Sequence, residues 1–259
     1  MIFFKYLNRF FTFLIANILI VAVTSPIHAN EDKPPQSITK IERERIENIV
    51  KDFILNNPEH IIESIQSLRQ REEVKKHEKI KGNIINYQNE LINDPDTPVG
   101  GNQNGSINII EFFDYRCGYC KRVLPDLIKL VSKDKDIRLI YKEFPILGPK
   151  SIVASKAGLS AWILDKSKYQ TFHKAMMDSK GMLSESRIMK LASNAGYNVA
   201  NLKKIMETSR IDKILEKTYN LAKALDINGT PAFIIGDQVI RGAIDFKTLE
   251  NLVSEEKGS

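Results

Sequence analysis

The chain has 259 residues, 42% hydrophobic and 27% charged, with a net charge of +6; this is globular composition with room for one full core and an accessory segment. Its lysines are interleaved with acids, as in KKHEKIK and VSKDKD, so they form solvated faces, and no basic stripe with base-stacking aromatics marks a nucleic-acid surface. Cysteine occurs only twice, too few for a disulfide framework in a chain too large to need one.

The first segment, MIFFKYLNRF, carries Lys5 and Arg9 and no acid. An apolar run follows from Phe10 to Val23, then Pro26 as a breaker and Ala29 as a small residue. That order is the pattern of a secretory signal. The competing reading is a membrane anchor, but the uninterrupted run is shorter than the ~20 residues a span needs. Residues 1–29 are expected to be a cleaved signal peptide, delivering the rest to the periplasm.

Residues 30–92 are expected to form an N-terminal helical oligomerisation segment. A polar leader, NEDKPPQ, precedes Ile38, Ile41, Ile46, Ile49, Val50, Phe53 and Ile54, which recur mostly at intervals of three and four. Asn56 and Asn57 interrupt the pattern, and Asn57-Pro58 fits an N-cap followed by proline at the first helical position. A second helix carries Ile61, Ile62, Ile65 and Leu68 into a strongly charged run from Arg69 to Lys81, the expected exposed connector. A thin isoleucine stripe on charged surroundings suits an oligomer seam. The alternatives are packing on the chain's own main domain and loose order.

NDPDTPVGGNQNGS, from Asn93 to Ser106, marks the boundary of a second domain over residues 93–259. Ile107–Phe113 reads as a strand, followed by a turn containing both cysteines and a helix through VLPDLIKLVSK. Ile137–Phe144 reads as a second strand. A helical block, about 150–225, follows, with Ser184 as an N-cap and Gly196 as a stop. AFII, Gly236-Asp237 and QVI form a hairpin pattern with a two-residue glycine-first turn. A last helix starts at Asp245.

The turn holds Cys117-Gly118-Tyr119-Cys120. Half of a zinc site would need a second cysteine pair, and His60, His77 and His173 are scattered. A structural disulfide would close a very small loop and constrain the unfolded chain little. A redox pair explains the spacing better. Cys117 falls at a helix N-terminus, where free N–H groups and the dipole favour a thiolate, with Arg116, Lys121 and Arg122 nearby. Cys120, one turn on, can attack a mixed disulfide at Cys117. Asn228-Gly229-Thr230-Pro231 stands just before AFII, where an X-Pro bond can be cis. Glu111, in an apolar strand, is a candidate for a raised pKa, or else an edge-strand acid facing water.

EFFDYRCGYCK and NGTPAFII together resemble the thioredoxin-fold DsbA family of bacterial disulfide oxidoreductases, over roughly Asn93 to the end. The resemblance implies an α/β thioredoxin fold with an inserted helical domain, plus the N-terminal α-helical segment. That added segment is similar to the outer-membrane-antigen and suppressor-of-copper-sensitivity branch, several members of which are trimers. By resemblance, Cys117 is the nucleophile, Cys120 the resolving thiol and Pro231 the cis-proline against the disulfide. Thr230 corresponds to the residue whose backbone pairs with substrate, and Glu111 to a buried acid that takes or relays a proton. The implied activity is periplasmic protein thiol:disulfide exchange on unfolded or misfolded secreted proteins. A membrane redox partner and homo-oligomerisation, a trimer by preference, are expected with it, and no metal or organic cofactor. One departure matters: the strongly oxidising members carry Pro-His where this chain has Gly118-Tyr119, and Gly-Tyr is similar to isomerases of the DsbC type. Oxidase and isomerase or reductase therefore both stand, beside a copper-handling thiol protein and a surface antigen as further alternatives.

Overall fold

The computed structural model describes residues 38–258, so the expected signal peptide lies outside the described residues. The chain forms two compact units, one ending at Ile62 and one beginning at Glu63.

The first unit holds α1 (Lys40–Asn56) and the start of α2 (Pro58–Asn86). A reciprocal capping box starts α1: the Thr39 hydroxyl accepts from the Glu42 N–H, and the Glu42 carboxylate accepts from the Thr39 N–H and hydroxyl. At the other end, the backbone and side-chain N–H groups of Asn57 both donate to the Phe53 carbonyl, and Pro58 opens α2 as expected. No residue of α1 is buried. Ile41, Ile49 and Phe53 are each more than half exposed.

The second unit is built on a five-stranded sheet in the order β1-β3-β2-β4-β5. Its strands are β1 (Val99–Gly101), β2 (Ile107–Phe113), β3 (Ile137–Glu143), β4 (Ala232–Ile235) and β5 (Gln238–Arg241). Only β2 and β3 run parallel, joined by α4 (Gly118–Lys133). The β1–β3, β2–β4 and β4–β5 pairs are antiparallel. Between β3 and β4 come α5 (Pro149–Leu164), α6 (Tyr169–Met177), α7 (Glu185–Asn194), α8 (Val199–Met206) and α9 (Ser209–Ala224). Helix α10 (Phe246–Gly258) closes the chain. This is the expected thioredoxin arrangement with a helical insertion. Strand β1 was not expected: three residues, two of them glycine, are too short to show alternation.

Both faces of the sheet are covered, which is why β2 and β3 read as near-continuous apolar runs. On one face Ile109, Phe113, Leu139, Tyr141 and Phe233 pack with Val123 and Leu127 of α4 and Leu249 of α10. On the other, Ile110, Phe112, Ile140 and Ile234 meet Leu221 and Leu225. That second face is also covered by Ile80 and Ile84 of α2 and by Leu91 of α3 (Gln88–Ile92). The charged run Arg69–Lys81 is therefore not a bare connector. Helix α2 passes through it unbroken, Lys76 pairs with Asp226 at 2.8 Å, and Lys81 pairs with Asp237 at 2.7 Å. The Asn83 amide donates to the Ala224 carbonyl at 2.6 Å.

Candidate active site

Strand β2 ends at Phe113, and the chain turns through Asp114, Tyr115 and Arg116 to place Cys117 as the N-cap of α4. Asp114 builds that turn. Its carbonyl accepts from the Cys117 N–H at 2.9 Å, and its Oδ1 accepts from the Arg116 N–H at 2.8 Å, the short-range bonding that makes aspartate a turn residue. Its Oδ2 accepts from the Ile146 and Leu147 N–H groups at 3.0 and 3.1 Å, tying the segment after β3 to the cysteine turn. Asp114 is fully buried and was not singled out from the sequence.

Both cysteines are free thiols. The Cys117 Sγ accepts from the Cys120 N–H at 3.4 Å, as an N-cap side chain should, and its thiol donates to the Thr230 carbonyl at 3.2 Å. The Thr230-Pro231 bond is cis. Strand β4 starts at the next residue, so pairing of β4 with β2 brings this loop beside the cysteine turn. Cys120 has no exposed surface, and Cys117 itself is only 6% exposed.

The two thiols differ sharply in acidity. Cys117 is lowered to about 5, chiefly by the hydrogen bond from the Cys120 thiol, with Thr230 and the Cys120 and Tyr119 backbone assisting against the cost of burial. Cys120 is pushed up, by its bond to Cys117, by burial and by the nearby Glu111. The expected help from cations is not what lowers Cys117. Arg116 donates to the Leu147 carbonyl and Lys121 to the Ser179 carbonyl, while the Arg122 guanidinium sits over the Tyr119 ring, 4.9 Å from its centroid.

Glu111 lies in the middle of β2 between β3 and β4, with no exposed surface, so the edge-strand reading fails. Among the described residues, neither carboxyl oxygen has a hydrogen-bond partner. Burial, and secondly the charge on Cys117, raise its pKa to about 8. The acid is thus protonated at neutral pH while Cys117 is a thiolate. All five residues singled out from the sequence converge: Glu111, Cys117, Cys120, Thr230 and Pro231.

The arrangement holds one ionised, nearly buried thiol, one protonated and fully buried thiol beside it, and a neutral acid electrostatically linked to both. It can exchange disulfides and move one proton.

Known proteins share this architecture. Residues 93–255 match the thioredoxin family, and residues 42–74 match the copper resistance protein ScsC N-terminal domain. Disulfide bond formation protein D of Bacillus subtilis is 22% identical over 173 residues, covering 61% of this chain and 76% of that protein. The crystal structure of Proteus mirabilis ScsC in a transitional conformation is 31% identical, with a TM-score of 0.64, covering 85% of this chain and 99% of that one. The thiol-disulfide exchange protein alpha-DsbA2 of Wolbachia pipientis is 32% identical, with a TM-score of 0.65, covering 70% of this chain and 97% of that one. With a cysteine pair at the head of α4 and a cis-proline loop beside it, the chain belongs to the thioredoxin family and is a DsbA- and ScsC-like thiol:disulfide oxidoreductase.

Proposed function

We propose that this oxidoreductase works in the periplasm on secreted proteins, forming or correcting their disulfides, with Cys117 as the nucleophile and Cys120 as the resolving thiol. The observation that carries the assignment is the Cys117 Sγ at the α4 N-cap, receiving hydrogen bonds from Cys120 and held near its thiolate form. The thiolate is the attacking species in exchange.

The cycle balances on a client disulfide as follows. The Cys117 thiolate attacks one client sulfur, the client S–S bond breaks, and the other client sulfur leaves as a thiolate. Cys117 is now in a mixed disulfide and uncharged. Glu111 loses the charge that helped to raise its pKa, releases its proton to solvent or to the departing client thiolate, and as a carboxylate can accept the Cys120 proton. The Cys120 thiolate then attacks the Cys117 sulfur, the Cys117–client bond breaks, and the client thiolate departs. Run backwards, from the Cys117–Cys120 disulfide and a client dithiol, the same steps oxidise the client. In isomerisation a second client thiolate displaces Cys117 instead. Thr230 and Pro231 offer the client a short edge beside the sulfurs, with the Thr230 carbonyl oxygen 3.2 Å from the Cys117 Sγ. A membrane redox partner would restore whichever form each cycle consumes.

The periplasmic placement rests on the signal-like order of the first 29 residues. A second reading, isomerisation by a homo-oligomer with a trimer favoured, is supported by α1. Its apolar residues are exposed, and residues 42–74 match an ScsC N-terminal domain. Several linked active sites would hold a misfolded client through successive exchanges. Refolding of a scrambled-disulfide protein, beside oxidation of a dithiol peptide, separates the two. The isomerase reading expects the first activity to exceed the second, and a Cys117→Ala protein active in either assay would overturn the assignment of the nucleophile.

A further inference from the structure

Arg116, Lys121 and Arg122 stand beside the reactive turn, yet none of them is what lowers Cys117. They belong to a larger surface. The Arg116 guanidinium donates to the Leu147 carbonyl at 2.6 Å, which joins the cysteine turn to the segment before α5. Three residues on, Lys150 of α5 donates to the Met182 sulfur at 3.1 Å, which joins α5 to the segment between α6 and α7. Lys121 donates to the Ser179 carbonyl at 2.7 Å, at the start of that same segment. Burial, and secondly the charge on Arg187 of α7, lower the pKa of Lys121, so Arg187 stands near it. Cations from the cysteine turn, α5 and α7 thus gather around the head of α4.

The acids near these cations are committed elsewhere. Both carboxyl oxygens of Asp114 accept backbone N–H groups. Asp178, whose charge Lys121 also feels, pairs with Lys174. Glu185 pairs with Lys203 at 3.0 Å. Asp126, one turn beyond Arg122 on α4, forms no ion pair with it among the described residues. Tyr119, Leu147 and Met182 are all exposed, and each carries one of the cations against it: Arg122 over the Tyr119 ring, Arg116 on the Leu147 carbonyl and Lys150 on the Met182 sulfur. The surface therefore offers apolar area and positive charge together, with no carboxylate of its own to neutralise it.

Strands β3 and β4 flank β2 on opposite sides, so Leu147, after β3, and Thr230, before β4, reach the cysteine turn from opposite sides. A client segment that lies along the Thr230 loop and offers its sulfur to Cys117 meets the cationic rim with the residues beyond its cysteine. We propose that this rim is a docking surface for client segments that carry aspartate or glutamate beside the reacting cysteine, and that it makes the protein prefer them to neutral or basic segments. The inference rests on Cys117 as the attacking thiol and deepens that reading by naming the client class. Unpaired cations converging on one mouth steer acidic partners to it and raise their encounter rate by about tenfold or more, an advantage that salt removes. The bonds made and broken in the exchange are unchanged.

The test is the second-order rate at which the reduced protein releases a coloured thiol from activated peptide disulfides in stopped flow. The peptides are identical except that aspartate, asparagine or lysine flanks the cysteine. Each rate is divided by that of the same peptide with mercaptoethanol, which removes differences in intrinsic reactivity. At low ionic strength the aspartate peptide should react about tenfold faster than the asparagine peptide, and the lysine peptide more slowly still. At about 0.5 M salt the three should converge. Lys150→Gln with Arg187→Gln should cut the aspartate-to-asparagine ratio to about threefold or less, the ratio being taken within each protein so that a general loss of activity cancels. Lys213→Gln with Lys223→Gln removes the same net charge from α9, which covers the other face of the sheet through Leu221, and should keep the full ratio. Equal normalised rates for the aspartate and asparagine peptides at low salt would overturn the docking surface. So would an undiminished ratio in the Lys150 and Arg187 variant, or an equal loss in the α9 variant. In each of those cases the asparagine peptide would still react through Cys117. A Cys117→Ala protein as fast as wild type would instead overturn the reading of the nucleophile, and the client class with it.

Discussion

The Cys117 sulfur and the Thr230 carbonyl oxygen stand 3.2 Å apart although 113 positions separate them in the chain. The contact exists because β4 pairs antiparallel to β2, with Ala232 beside Phe112. The loop before β4 and the turn after β2 therefore meet at one edge of the sheet.

Burial divides the work of the two thiols, so trapping should be one-sided. Cys120→Ala should accumulate covalent client complexes, seen on non-reducing gels and released by reductant, because attack survives and escape does not. Cys117→Ala should yield few, since Cys120 is fully buried and its pKa is raised. Equal trapping by the two variants would mean that the assignment of nucleophile and resolver is wrong.

The Thr230 side chain is among the groups that lower Cys117 to about 5. Thr230→Val should move the thiolate titration, followed by ultraviolet absorbance, upward by about half a unit to one unit, the worth of one modest hydrogen bond. The wild-type midpoint should lie near 5, and attack should reach its plateau above it. A midpoint near that of a free thiol would remove the basis for Cys117 as the attacking group.

Glu111 makes the reduced protein less stable as pH rises. Its folded pKa, about 8, is above the ordinary carboxyl value of 4.5. The folded state therefore holds a proton that the unfolded chain has lost, and stability falls between those values. Glu111→Gln removes that dependence. In thermal melts of the reduced proteins, the variant should gain on wild type between pH 5 and pH 8 by on the order of 3 kcal/mol. The gain should be smaller for the oxidised proteins, in which Cys117 carries no charge. Parallel pH curves for variant and wild type would show that Glu111 is ionised in the fold.

Two truncations should behave differently. A chain beginning at Glu63 keeps Ile80, Ile84 and Leu91 on the sheet. It should fold, lose oligomerisation in light scattering, and lose isomerase activity while still oxidising dithiols. A chain beginning at Asp94 strips those three side chains away. Each large aliphatic lost from such a site costs about 2–5 kcal/mol, so this chain should melt well below the other. If the Glu63 chain keeps the oligomeric state of a chain that retains α1, the exposed α1 residues are not its seam.

The sequence by itself determined the local features. Cysteines three apart after an apolar strand dictated a helix N-terminus with a thiol on it, because spacing and capping are short-range properties. Pro58 at the start of α2, the Ser184 cap and the Gly236-Asp237 turn were legible for the same reason, and Gly236 indeed takes a positive φ of 58°, whereas Asn57, read as an N-cap, closes α1 instead. Tertiary structure decided what depends on residues distant in the chain. It placed Glu111 in a central strand rather than at an edge. It lowered Cys117 through hydrogen bonds from Cys120 and Thr230 instead of the adjacent cations. It bound the end of a charged helix to the sheet through Ile80 and Ile84. Asp114 and Tyr115, although inside the quoted cysteine motif, and His173, outside any motif, take their importance from burial and from partners brought together only when β2, β3 and α6 pack. A carboxyl in water is an ordinary anion wherever it stands in the chain, and desolvation by the assembled fold makes it an acid that can hold a proton at neutral pH.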